Sequence, residues 1–235
     1  MDERPTETDE RPAEVDRRPT MVVLDVEGVL VPEIWIAVAE RTGIAELRRT
    51  TRDEPDYDAL MRDRLDLLDR HGLGLSAITA TIGTLTPLPG AREFLDDLRA
   101  RTPVVLLSDT FAEFAGPLMV QLGQPTILCH NLEVVDDRIV GYRLRMEDQK
   151  RHAVLAFQSL GYRVLASGDS YNDVSMLLAA DAGFLFRAPA RVRDEFPQLP
   201  AFESYAELTA ALTRPAGPRA VRAERSTAPQ ARSGG

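Results

Sequence analysis

The sequence predicts an α/β fold: a doubly wound, Rossmann-like parallel sheet with a small helical cap inserted after the first strand. Three observations predict it. Five short apolar runs have the character of strands buried on both faces. Helical patterns fall between them. One long stretch after the first run shows helical periodicity alone.

The runs are 21–26 (MVVLDV), 103–109 (PVVLLSD), 126–130 (TILCH), 162–167 (YRVLAS) and 182–187 (AGFLFR), with helices expected over 91–100, 111–122, 150–160 and 173–180. Residues 132–145 read as a β-hairpin turning on Asp136 and Asp137. Residues 33–86 contain no strand-like run but two or three amphipathic helices, notably 33–42 and 56–70. They follow the first strand directly, so they lie over the carboxyl edge of the sheet, where such sheets bind ligands. The first twenty residues (DERPTET-DERPAEV-DRRPT) are a Pro-rich charged repeat with almost nothing to bury, and 214–235 is a Pro/Gly/Ala/Arg tail. The organisation expected is a disordered tail over 1–20, an α/β core of 21–32 and 87–213, a cap of 33–86, and a second disordered tail over 214–235. Met21, immediately after the repeat, is a candidate translation start that an intact-mass measurement of the natural protein would test.

The chain has 235 residues, 44% hydrophobic and 28% charged, with a net charge of −9. That acidity argues against nucleic acid or an anionic membrane as partner. There is no apolar run of membrane-spanning length and nothing like a signal peptide, so a cytoplasmic enzyme is expected. A homodimer is the assembly considered. The single Cys129 excludes a disulfide framework and reads as a buried strand residue. His71, His130 and His152 lack metal-ligand spacing and suit surface or hydrogen-bonded roles.

The strand ends carry the chemistry. Asp25 and Glu27 share one side of the chain at the tip of the first strand, with Gly28 permitting a sharp turn. Two such carboxylates suit a nucleophile with a proton donor, a metal ligand with a base, or simply a solvated turn. Ser108, Asp109 and Thr110 end the second strand with small groups able to hold a phosphate oxygen. Lys150 is the only lysine beside 27 arginines, and it falls in the first turn of a helix for which Asp148 is the expected N-cap. A cation is mildly disfavoured there. Finally GDSYND supplies Asp169, Asn172 and Asp173 in a strand-to-helix turn that suits oxygen ligation of Mg²⁺. Any one of these is ordinary; the four in this order converge on one sheet edge.

DxE, S-D-T, a lone Lys and GDSxND resemble the four motifs of the haloacid dehalogenase superfamily of phosphotransferases, over residues 21 to about 212. LDVEGVLVPEIW, TTRDEPDYDALMRDRL, LSDTFAEF and SGDSYNDVSML are most similar to its phosphoserine phosphatase branch, in particular to bifunctional phosphoserine phosphatase/homoserine phosphotransferase members. The resemblance implies that Asp25 is the nucleophile and becomes an aspartyl phosphate. Glu27 is then the acid and base. It implies Mg²⁺ on the Asp25 carboxylate, the Glu27 carbonyl and Asp169, with Asp173 close by through water. Ser108, Lys150 and Asn172 would hold the phosphoryl oxygens. Phosphoserine is the implied donor, with water or homoserine as acceptor. Such phosphatases usually have Asp at the place of Glu27 and Ser-Thr at the place of Gly28-Val29, and the phosphotransferase type shares the Glu-Gly-Val spelling.

The cap adds an argument about substrate. Glu33 is the only charge in 29–39, and Arg64 lies on or beside an apolar helix face with Tyr57, Leu60, Met61, Leu67 and Leu68. An interhelical Glu33–Arg64 salt bridge or an Arg64 reaching to the rim would account for both. So would a clasp on a zwitterion, Glu33 on the ammonium and Arg64 on the carboxylate, and the family's substrate residues fall at these positions. Trp35 reads as cap core and Arg52 as a solvated loop residue. Two alternatives stand beside this reading: a phosphatase of another small phosphomonoester on the same scaffold, and a receiver-like phosphoacceptor signalling module. Receivers lack both the helical insertion and a GDxxxD after the lysine.

Overall fold

The computed structural model describes residues 16–50, 53–54 and 57–215, and the folded body runs from Arg18 to Arg214. Among the described residues, seven strands form one sheet: β1 Thr20–Leu24, β2 Val104–Phe111, β3 Ile127–Val135, β4 Arg138–Arg143, β5 Arg163–Gly168, β6 Ala182–Phe186 and β7 Ala201–Phe202. The spatial order is β4-β3-β2-β1-β5-β6-β7, parallel throughout except where β3 meets β4. The chain builds outward from β1 on one side, then crosses to build on the other. The order therefore reverses between β1 and β5, and a crevice opens there at the carboxyl ends.

The helices are α1 Ile34–Thr42, α2 Tyr57–Arg70, α3 Leu75–Gly83, α4 Ala91–Arg99, α5 Ala112–Gln121, α6 Gln149–Ser159, α7 Val174–Ala179, α8 Ala190–Glu195 and α9 Tyr205–Leu212. Strand alternation divides the core between two layers. Met21 and Val23 pack with Val154 of α6, Leu177 of α7 and Val192 of α8. Val22 and Leu24 pack with Leu95 of α4, Leu118 of α5 and Leu208 of α9. Both faces of β1 are thus covered, which is why its sequence is apolar without alternation. Each such side chain fully buried stabilises the fold by about 1.5–3 kcal/mol.

Helices α1, α2 and α3 are the insertion after β1, and their Val38, Met61, Leu68 and Ile82 join the α4/α5 layer rather than forming a core of their own. The far end of the insertion is held by the β3–β4 hairpin. Its turn falls on Asp136 and Asp137, both at positive φ (47° and 68°), a backbone that Asp tolerates. Asp137 accepts the Leu75 N–H through its carbonyl (2.7 Å) and the Ser76 N–H and Oγ–H through its carboxylate (2.7 and 2.6 Å). Arg138 adds a forked pair to Asp69 at 2.6 and 2.8 Å.

Several details differ from the sequence reading. Arg18–Thr20, assigned to the first tail, belong to the folded body. Thr20 opens β1, the Pro19 carbonyl accepts the Arg163 N–H (2.9 Å), and Arg18 pairs with Asp181 at 2.7 Å. Main-chain pairing needs no apolar side chain, so composition gave no sign of it. The run 126–130 and the first arm of the hairpin are one continuous strand, β3. Strand β7 and helices α8 and α9 were not anticipated, although Ser204 and Glu207 form a capping box at the start of α9 that was open to view. The remaining tail predictions and Arg52 fall outside the described residues. No helix among the described residues is long and apolar enough to cross a membrane.

Candidate active site

Asp25 follows β1 directly, is buried, and donates its backbone N–H to the Ser167 carbonyl of β5 at 2.9 Å. The chain then turns tightly: the Leu30 and Val31 N–H groups both reach the Val26 carbonyl, and Gly28 donates to Val31. Gly28 has φ +76°, and a Cβ there would stand 2.4 Å from Asp169 Oδ2. Conformation and close approach therefore both require glycine. Glu27 Oε2 accepts the Ile34 N–H at 2.9 Å, satisfying an orphan amide at the first residue of α1. Burial, and then the neighbouring Glu33, push the Glu27 carboxyl up to about 7, against the pull of the Ile34 bond, Lys150 and Arg64.

Across the crevice, β5 ends at Gly168, where a Cβ would lie 2.4 Å from Asp173 Cγ. Asp173 is fully buried and accepts the N–H groups of Asp169 (3.0 Å) and Ser170 (3.2 Å). Lys150, the second residue of α6, is 3% exposed, and its Nζ donates to Asp25 Oδ1 and Asp173 Oδ1, each at 2.8 Å. Asp109 Oδ2 is 3.4 Å away. Burial disfavours the Lys150 charge, but Asp173, Asp25 and Asp109 outweigh it and raise its pKa. Asp148 stands at the N-cap position without capping. Its φ is +46°, and its carboxylate accepts the Ser175 Oγ–H at 2.7 Å instead.

Asp25, Asp169 and Asp173 each present a carboxylate oxygen, all within 4.8 Å of one another. Burial and Asp173 raise Asp25, against Lys150. The same two causes push Asp169 up to about 7. Three crowded carboxylates with one ammonium leave an excess of negative charge, and their hard oxygens suit a divalent cation. The residues fit a metal.

On the β2 side, Ser108 is buried and its Oγ accepts the Thr110 N–H at 3.2 Å. Asp109 is held from all sides. Its Oδ1 accepts from Gln149 Nε2 (3.1 Å) and lies 3.7 Å from His130 Nε2. Its Oδ2 accepts from Asn172 Nδ2 at 3.0 Å. Burial alone would raise this carboxyl, but Lys150, with help from His130, Asn172 and Gln149, holds it well below the usual carboxylate range. Gln149 also donates to the Ser108 carbonyl at 2.6 Å and accepts from Arg145 Nε at 3.1 Å, which fixes the orientation of its amide. His130 Nδ1 accepts the Arg145 N–H at 3.0 Å, so the ring carries its N–H on Nε2, the nitrogen 3.7 Å from Asp109 Oδ1. Sequence reasoning left His130 among surface or hydrogen-bonded residues and passed over Gln149. No local pattern marks either one; only the fold brings them to Asp109.

In the cap, Glu33 is exposed and Arg64 is buried, 7% exposed. No Glu33–Arg64 ion pair occurs among the described residues, and Arg64 does not reach to the rim. Its guanidinium lies 4.5 Å over the Trp35 ring, Nη2 donates to the Arg49 carbonyl at 2.8 Å, and Nε has no partner. A buried donor without an acceptor is costly unless something else supplies one. Burial lowers the Arg64 pKa to about 10. Trp35 is half-buried against Phe114 (5.5 Å, edge-on) and floors the guanidinium as well as filling the cap. Tyr57, read from sequence only as part of an apolar face, has its phenol raised by burial and by the nearby Asp109.

A strand-end carboxylate bridged by lysine to a second strand end, beneath helices inserted after the first strand, defines a hydrolase of the haloacid dehalogenase class. The chain belongs to the haloacid dehalogenase-like hydrolase family, whose model matches residues 20–181. It is 63% identical over 186 residues to phosphoserine phosphatase ThrH of Pseudomonas aeruginosa, covering 79% of this chain and 91% of that one. A phosphoserine phosphatase of Pseudomonas syringae pv. tomato is also 63% identical over 186 residues, with 79% and 78% covered. Among solved structures, a phospho-aspartyl intermediate analogue of phosphoserine phosphatase shares the fold at a TM-score of 0.68 and 19% identity, over 83% of this chain and 99% of that one.

Proposed function

We propose that this chain is a Mg²⁺-dependent phosphoserine phosphatase working through an aspartyl phosphate on Asp25. The observation that carries the reading is the buried Asp25–Lys150–Asp173 bridge, with Asp169 beside it and Glu27 two residues from Asp25. The 63% identity to two phosphoserine phosphatases supports the substrate. So does the unpartnered Nε of Arg64 under the cap.

Asp25 attacks phosphorus in line; its P–O bond forms as the ester P–O bond breaks. Glu27, its carboxyl near neutrality, gives its proton to the departing serine oxygen. Water then attacks the phosphorus of the aspartyl phosphate, its proton passes to Glu27, and phosphate leaves with Asp25 restored. Lys150, Ser108 and Asn172 hold the phosphoryl oxygens. Arg64 forks onto the α-carboxylate of the substrate and Glu33 takes its ammonium. Asp25, Asp169 and the Glu27 carbonyl, with Asp173 close by, would hold Mg²⁺, which would neutralise phosphoryl charge. Homoserine replaces water as a second acceptor, a reading supported by Glu27-Gly28-Val29 standing where hydrolytic relatives carry Asp-Ser-Thr.

Incubation with L-phosphoserine and Mg²⁺, with and without homoserine, tests the reading by scoring inorganic phosphate against O-phosphohomoserine. Asp25→Asn is expected to abolish both products. Full activity in that variant overturns the mechanism, and equal turnover of sugar and nucleotide phosphates overturns the substrate.

A further inference from the structure

We propose that Asp109 governs release of the phosphate product. Its carboxylate takes the donors that a phosphoryl group needs, and so weakens the hold on bare phosphate, which has no other contact to keep it. The proposal rests on the phosphatase reading above.

An ionised carboxylate accepts hydrogen bonds and donates none. Asp109 therefore offers a phosphate oxygen nothing from its side chain, although it stands between Ser108 and Thr110, where small donors were expected. Instead its Oδ2 draws Asn172 Nδ2 to 3.0 Å and lies 3.4 Å from Lys150 Nζ. These are two of the groups assigned to the phosphoryl oxygens. Its side chain is 37% exposed, so the charge is open to an incoming ligand rather than sealed in the core.

The carboxylate is also prevented from turning away. Gln149 holds Oδ1 at 3.1 Å while anchored to the Ser108 carbonyl at 2.6 Å and to Arg145 at 3.1 Å. His130, fixed by the Arg145 N–H, lies against the same oxygen. Two buried polar side chains thus keep one anion in place. A phosphoryl group arriving here must share Lys150 and Asn172 with a like charge that cannot move. The same opposition falls on every phosphoryl ligand, so it leaves the ratio between substrates alone. Phosphoserine brings further groups for Arg64 and Glu33; inorganic phosphate does not. The penalty therefore tells most on the phosphate product, which has nothing else to hold it, and hastens its departure.

The test compares wild type, Asp109→Asn and Asp109→Ser with Mg²⁺ present. It reads competitive inhibition by inorganic phosphate and kcat/KM for L-phosphoserine against p-nitrophenyl phosphate. Asp109→Asn should lower the inhibition constant of phosphate on the order of tenfold, the scale of a like-charge contact removed from a binding site. The two kcat/KM values should shift together, because the penalty falls on the phosphoryl group that both substrates share. An anchor for Asn172 and Gln149 alone would do the opposite: both variants would bind phosphate no better or worse, and that result overturns the proposal. Should Asp109→Asn fail to fold, Asp109→Ser removes the same charge and decides the question. Calorimetric titration with phosphate and Mg²⁺ reads the effect without turnover. A wild type inert toward phosphoserine thus sinks the proposed function, while unchanged phosphate affinity sinks only the role of Asp109.

Discussion

Lys150 was legible in the sequence as an anomaly, one lysine among 27 arginines, and the structure gives the reason. Its Nζ sits 2.8 Å from both Asp25 and Asp173 in a buried site, a space for a compact ammonium rather than a planar guanidinium. Lys150→Arg should therefore fold yet lose kcat on the order of a hundredfold, the scale of one misplaced donor in a preorganised site; near-normal turnover refutes the steric account. Its third carboxylate partner is Asp109, a pairing that strand-end spacing could not reveal, since spacing does not say which tips face one another. Gly28 was likewise legible as a turn, but not as the floor beneath Asp169. Gly28→Ala should lower stability by about 1–3 kcal/mol through strain. It should also raise the Mg²⁺ concentration needed for activity, because Asp169 must move, as a thermal melt and a Mg²⁺ titration would read. The clasp of Glu33 and Arg64 was proposed from charges on apolar faces and from the family resemblance; the buried Nε without a partner is a fact only the packing supplies.

At the scale of elements, sheet and cap were legible because buried parallel strands and amphipathic helices leave strong periodic signals. The short β7 and α8 were not, being too brief for a period to register. Helix α9 carried its signal in the Ser204–Glu207 box, and it bears on the site. Its first residue, Tyr205, is stacked between Phe94 (4.6 Å) and Phe186 (4.8 Å) and donates its hydroxyl to the Val29 carbonyl at 2.7 Å. This contact braces the turn carrying Glu27 from a residue outside the family match of 20–181. Tyr205→Phe should cost about 1–2 kcal/mol in denaturant unfolding by depriving a buried carbonyl of its donor. With phosphoserine it should lower kcat while leaving KM near its wild-type value. A fall in KM-dependent binding alone would place the bond outside the catalytic turn.

Over the whole molecule, net charge and composition bear on which partners to expect, but not on where the folded body starts. Arg18 reaches across to Asp181, which also accepts the Val164 N–H and a Gln158 N–H. Burial would raise Asp181, yet these bonds together hold it below its ordinary value of 3.8. A carboxyl depressed in the folded state stabilises above its unfolded pKa and loses that contribution as pH falls through the lowered value. Wild type should exceed Asp181→Asn by about 1 kcal/mol at pH 7. Urea midpoints should converge in acid below about pH 4; a difference that persists there refutes the assignment.

Strand β3 spans nine residues, from Ile127 to Val135. It carries His130 beside Asp109 at its root and leads to Asp137 on the helices over the crevice. A twisted ribbon of paired strands is stiff along its length, so the cover cannot lift as a free door. Either the Ser76 and Asp69 bonds part first, or the ribbon is drawn along and the imidazole facing Asp109 moves with it. Cover and anion pocket are the two ends of one beam.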